Sequence, residues 1–179
     1  MKRYFIFAAL FFSSIGAFAQ RFAYVDSEYI LSSVPEYSAA QKQLQALTDQ
    51  WQKDFDARMQ NVDKLYKAYQ ADRVLLTEDM RKKRESDIVQ QEKAAKDFQR
   101  QKFGPDGDLA KRSTELIKPI QDRVAKAIQA TAESENLDMV FDKNSEVIML
   151  YSNPRYDRSN AVISRMGLKP TDQAKGNTN

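Results

Sequence analysis

The chain has 179 residues with 28 basic and 25 acidic side chains, a net charge of +3, and neither His nor Cys. Those two absences exclude disulfides, thiolate nucleophiles, imidazole bases and Cys/His zinc sites. With only five Gly and no G-x-x-x-x-G-K or G-x-G-x-x-G run, a phosphate-cradling loop is not expected either, and the composition favours binding or structure over catalysis.

The first nineteen residues read as an export signal rather than as part of the fold. Lys2 and Arg3 precede an unbroken apolar stretch, Tyr4 to Phe12, and Ala17-Phe18-Ala19 supplies the small residues that a signal peptidase reads. Nine apolar residues are too few for a bilayer span, which needs roughly 20. Cleavage after Ala19 leaves 160 residues, 20–179, with 26 basic and 25 acidic side chains. That near balance is no footprint for nucleic acid. Without Cys there is no site for a lipid anchor, and an exported fold must hold by packing and association alone.

A strand is expected at Phe22 to Val25, directly after the cleavage site. A long helix should follow from about residue 34 to 71, with Ser33 and Glu36 at capping-box spacing and Pro35 in the first turn. Residues 36–102 contain no Gly or Pro across 67 positions. Leu44, Leu47, Trp51, Phe55, Val62, Leu65 and Tyr69 recur at threes, fours and sevens, a narrow apolar stripe suited to a coiled coil. A turn is expected at Asp72 to Thr77. Thr77 would cap a return helix whose stripe is Met80, Ile88, Ala95 and Phe98. A helix from 34 to 71 extends roughly 55 Å, too long for a compact domain of this size to enclose, so a projecting hairpin is expected.

Phe103-Gly-Pro-Asp-Gly-Asp108 should break the return helix, with Asp108 capping the restart and Pro119 adding a milder kink. Counted from a tip near residue 75, Gly104 should lie opposite about residue 45. Gly104, Pro105 and Gly107 then form either a hinge or a fixed kink. Leu116, Ile120, Val124, Ala127 and Ile128 carry an apolar face on to about Glu135. Two further strands, Met139 to Asp142 and Val147 to Tyr151, should form a hairpin that the first strand joins. A short helix is expected within 157–166, and 167–179 reads as a mobile tail.

The fold class is therefore mainly α, with a small β body made from 20–34 and 137–166 and a helical hairpin over 35–136. Strands this few and short leave edges open, and other copies of the chain are the obvious partners. Tyr24, Val25, Val140, Phe141, Ile148 and Leu150 are the candidate body and oligomer residues.

Three groups of residues carry functional readings. Of the stripe residues, most should zip the hairpin helices together, whereas Tyr66, Tyr69 and Leu76 are candidates for contact with a bound chain. Arg81, Lys82, Lys83 and Arg84 are four consecutive cations in the most basic region, seven basic against four acidic residues from Lys64 to Glu85. They read either as a solvated helix face or as a surface for anionic partners, including acidic lipid headgroups. Asp106-Gly107-Asp108 lacks the ligand ladder of a calcium loop, so neither metal nor other cofactor is expected.

Together, the export signal, Phe22-Ala-Tyr-Val-Asp-Ser-Glu-Tyr-Ile-Leu31, the charged hairpin, Leu137-Asp-Met-Val-Phe-Asp142 and Val147-Ile-Met-Leu-Tyr-Ser-Asn-Pro154 resemble the Skp/OmpH family of periplasmic chaperones. The resemblance spans nearly all of the mature chain. Its specific part lies in the strand segments at the two ends, since any charged coiled coil would match the hairpin. It implies a homotrimer with a β-rich body, whose helical arms enclose unfolded outer-membrane proteins without ATP. A structural coiled-coil adaptor of the cell envelope is the alternative reading.

Overall fold

The computed structural model describes residues 21–145 and 149–170. The expected export signal, Val147, Ile148 and the end of the tail lie outside the described residues. In chain order the elements are β1 (Phe22–Val25), α1 (Ser27–Ser32), α2 (Pro35–Asp72), α3 (Glu78–Phe103), α4 (Asp108–Ser134), β2 (Met139–Asp142), a 3₁₀ turn (Pro154–Tyr156) and α5 (Ser159–Arg165). They group into two compact units, one from the chain's end segments (to Ser33 and from Val124) and one from Val34–Arg123.

The first unit is organised by a parallel ladder. β1 pairs with β2 in the register Phe22↔Met139, Ala23↔Val140, Tyr24↔Phe141 and Val25↔Asp142. Parallel strands need a long crossover, and here the crossover is everything between Asp26 and Asp138. The ladder is fastened at both ends. The Asp138 carboxylate accepts from the Arg21 amide at 2.7 Å, and the Lys143 amide donates to the Val25 carbonyl at 2.8 Å.

Beside the ladder, α1 packs on α5. Val25, Ile30, Val162 and Ile163 are fully enclosed, and Val124, Ala127 and Thr131 bury one face of α4. Thr131 satisfies its buried hydroxyl within the helix, donating to the Ala127 carbonyl at 2.8 Å.

Helix α1 was not expected. Asp26 caps it, its carboxylate accepting from the Tyr29 amide at 2.9 Å. Ser33 is not the cap of the long helix but the end of α1, with its hydroxyl donating to the Tyr29 carbonyl at 2.9 Å. Pro35 disfavours helical geometry in the residue before it, so Val34 is extended and α2 starts at Pro35 without a side-chain cap.

The expected strand over Val147 to Tyr151 is not seen in its described part. Met149 to Asn153 has no ladder partner among the described residues, and Leu150 is 96% exposed. The far edge of β1 is instead met by Asp157, which bridges to Tyr24, and by the Arg158 amide, which donates to the Tyr24 carbonyl at 2.9 Å. Asn153 and Pro154 favour a capped 3₁₀ turn over further extension, and Asn153 accepts from the Arg155 amide at 3.1 Å.

In the second unit, α2 and α3 form an antiparallel hairpin around the turn 73–76. The Leu75 amide donates to the Asp72 carbonyl at 2.8 Å, and Thr77 caps α3 through the Met80 amide. Tyr69 meets Glu85, Arg58 lies 4.5 Å from the Phe98 ring centre and Trp51 lies 6.2 Å from Phe103. These pairs step outward from the tip in one register, so Gly104 lies beyond Trp51 rather than opposite residue 45. Asp108 is the first residue of α4 rather than its cap, because Gly107 occupies the preceding position and its carbonyl accepts from the Lys111 amide at 3.1 Å. The helix continues through Pro119 without interruption.

The Asp26 cluster generates a test. Burial raises the Asp26 pKa, but the Tyr29 amide, the Asn144 side chain and Lys143 outweigh it and hold the carboxyl below its ordinary 3.8. A lowered folded-state pKa stabilises fully above the ordinary value, and the contribution disappears as pH falls through the folded one. Asp26→Asn keeps a capping acceptor but loses the charge, and should cost up to about 1 kcal/mol at pH 7. Urea unfolding at several pH values should show the gap to wild type closing below about pH 4.

Candidate functional site

The tip of the hairpin is apolar at its apex and basic behind it. Val74 and Leu75 are 84% and 83% exposed. Leu76 is less so, and its carbonyl accepts from Arg81 Nε at 3.1 Å. That bond draws Arg81 back over the turn, whereas Lys82, Lys83 and Arg84 are exposed on the first turns of α3. Sequence reasoning singled out Leu76 and passed over Val74 and Leu75. The available signal was a run of three apolar residues inside a predicted turn, where a polar loop is usual.

Tyr66 and Tyr69 separate cleanly. Tyr66 is 51% exposed, whereas Tyr69 is buried in the seam with its hydroxyl on the Glu85 carboxylate. That hydrogen bond, followed by burial, raises the Tyr69 pKa. Met80 and Val89 add exposed apolar side chains along α3. They are spread among charges, and the ion pairs Lys67–Asp63 at 2.6 Å and Lys96–Glu92 at 2.6 Å lie on solvated faces. Such pairs contribute little to stability and leave the apolar side chains accessible.

In the end-segment unit the candidate body residues divide. Tyr24 and Val25 are buried, Val140 is half-buried, and Phe141 and Leu150 are exposed; Ile148 lies outside the described residues. An open groove of about 660 Å³ is lined by Phe22, Tyr24, Phe141, Met149, Tyr151 and Tyr156, with Arg21 and Arg155 beside them. Phe22 and Phe141 touch within it, their ring centres 6.4 Å apart. The outer edge of β2 has no ladder partner among the described residues. Aromatic walls beside an open edge fit association with another chain.

At the break, Gly104, Pro105 and Gly107 form a close turn. A Cβ on Gly104 would sit 2.4 Å from the Arg100 carbonyl oxygen, so only glycine fits there. Among the described residues, no cluster of acidic side chains could hold a metal ion. No described helix is long and apolar enough to cross a membrane.

The arrangement is thus a small body with a strand edge that has no ladder partner among the described residues, together with a charged helical hairpin bearing exposed apolar side chains. Residues 21–166 match the family described as Outer membrane protein (OmpH-like), and the chain belongs to that family. An uncharacterised protein of Aquifex aeolicus (strain VF5) is 26% identical over 166 residues, covering 93% of this chain and 96% of that one. The crystal structure of a candidate outer membrane chaperone (OmpH-like) from Caulobacter crescentus CB15 superposes with a TM-score of 0.64 at 15% identity, covering 83% of this chain and 85% of that one. At that identity the likeness establishes the fold.

The Tyr69 contact can be tested on the hairpin itself. Tyr69→Phe keeps the ring and removes the donor to Glu85, which should cost about 1 kcal/mol. Tyr69→Ala also leaves a gap in the seam and should cost about 3 kcal/mol. Thermal melts followed by far-UV circular dichroism should rank the two in that order.

Proposed function

We propose that the protein is an ATP-independent holdase chaperone of the bacterial envelope that binds unfolded outer-membrane proteins in the periplasm. The observation that carries this reading is the character of the hairpin surface in a member of the OmpH-like family. Tyr66, Met80 and Val89 are exposed at separate positions along the helices, and Val74 and Leu75 form a small exposed pair at the apex. Weak, scattered apolar contact suits a non-native client, because one strong patch would self-associate or trap it. The Caulobacter protein's description as a candidate outer membrane chaperone supports the same reading. The proposed mechanism is encapsulation. The open β2 edge and the aromatic groove join three copies, and their hairpins surround the client, lowering the free concentration of aggregation-prone strands. Export to the periplasm would follow cleavage after Ala19.

The discriminating experiment uses the purified mature protein and a urea-denatured membrane β-barrel. A holdase suppresses light scattering on dilution at near-stoichiometric ratios without ATP. A purely structural adaptor leaves scattering unchanged, and that result would overturn the proposal. Sedimentation equilibrium should give three chains, and a concentration-independent monomer would remove the encapsulation step.

The basic tip is proposed to attract anionic membrane surfaces or acidic clients. Changing Arg81, Lys82, Lys83 and Arg84 to Gln should leave the helical circular dichroism signal intact, since three of the four are exposed. Co-sedimentation with vesicles containing anionic lipid should fall several-fold at low salt, where screening is least. Equal binding by both proteins at low salt would remove this role.

A further inference from the structure

The break between α3 and α4 carries a device that its Gly/Pro composition alone does not reveal. Lys102, in the last turn of α3, forms an ion pair with Asp108, the first residue of α4. Its ammonium also lies 4.8 Å from the centre of the Trp51 ring and 5.9 Å from that of Phe98. The Lys102 side chain is only 20% exposed, so both attractions act on a partly desolvated cation, where each is stronger than in open water. Trp51 also makes a T-shaped contact with Phe103, the ring centres 6.2 Å apart and the planes at 81°. The Asp108 carboxyl is held below its ordinary pKa, first by its bond to Lys102.

The backbone within the break is tied as well. The Gly104 amide donates to the Arg100 carbonyl at 2.8 Å and the Gly107 amide to the Gly104 carbonyl at 2.9 Å. The first bond closes the end of α3, and the second crosses the gap from the residue that ends α3 to the residue before α4. Lys102–Asp108 is the one side-chain hydrogen bond or ion pair joining α3 to α4 among the described residues.

We propose that Lys102, seated on Trp51 and paired with Asp108, is a latch that fixes the angle between α3 and α4, and that without it the Gly104–Gly107 turn, left with one backbone hydrogen bond across it, yields as a hinge. One charge pair then selects between a stiff and a yielding hairpin. The latch can be opened by anything that competes for either charge, such as an acidic segment of a bound chain taking Lys102. The inference stands on contacts inside the hairpin unit and does not depend on the chaperone reading.

The chain has no cysteine, so an engineered pair can be labelled without background. Gln91→Cys on α3 and Thr114→Cys on α4 are exposed positions for nitroxide labels, and electron–electron dipolar spectroscopy reads the distance between them. The otherwise wild-type protein should give one narrow distance distribution. Asp108→Asn should broaden it clearly, and Asp108→Glu should restore most of the narrowness. Hydrogen exchange at the Gly104 and Gly107 amides should rise roughly tenfold in Asp108→Asn, the scale expected for losing one charge-assisted contact, with amides at 86–95 unchanged. Should Asp108→Asn unfold the hairpin, Trp51→Leu takes its place, keeping the ion pair but removing the ring under the ammonium. Equal distance widths in wild type and the folded variant would overturn the proposal.

Discussion

The structure depends on bringing together two four-residue strands from opposite ends of the chain. Arg21 and Asp138, which fasten one end of the ladder, are 117 positions apart. Closing a loop of that length costs about 4 kcal/mol in chain entropy, comparable to what a few net backbone hydrogen bonds return. The ladder therefore cannot hold itself. What tips the balance is the apolar cluster of Val25, Ile30, Val162 and Ile163 beside it, with each side chain contributing about 1.5–3 kcal/mol when fully buried. Residues from both ends must be present before this cluster exists, so the end segments order together or not at all.

The hairpin follows the opposite logic. Its contacts are local in sequence near the tip and become steadily less so outward, and nothing in it waits for the chain ends to meet. Apolar stripes alone would tolerate slippage by a turn or a heptad. Tyr69 on Glu85, Arg58 on Phe98 and Trp51 on Phe103 are chemically distinct pairs that all fail together if one helix slides. Polar and aromatic contacts thus select the register, while the stripe supplies adhesion.

The long helices, the turn at 73–76, the Thr77 cap and the break were legible because each follows from local chemistry: apolar period, Gly and Pro placement, and a capping hydroxyl. Helix α1 was not legible. Its six residues hold only because Ile30 is buried against partners from the far end of the chain, and no local window contains that information. Leu150 and Tyr151 misled for the complementary reason, since a short continuous apolar run reads as a strand whether or not a ladder partner exists. Among the site residues, exposure decided what type could not. Tyr66 and Tyr69 are the same residue three positions apart, and only the partner helix separates a solvent-facing ring from a seam-locked one. The contacts of Lys102 were invisible because its ring partner, Trp51, is brought to it only by the fold.

The matched pairs across the hairpin also constrain how such a chain can change length in evolution. A residue inserted into α2 alone would rotate everything beyond it by about 100°, and Trp51 would face solvent while Phe103 lost its neighbour. Only insertions of about seven residues, made in both helices at equal distance from the turn, keep stripe and pairs in step. Each such step lengthens both helices by roughly 10 Å. Relatives with longer or shorter hairpins should therefore differ in paired heptads, and unpaired differences should gather where no register exists to be broken: in the turn at the apex and in the Gly104–Gly107 gap.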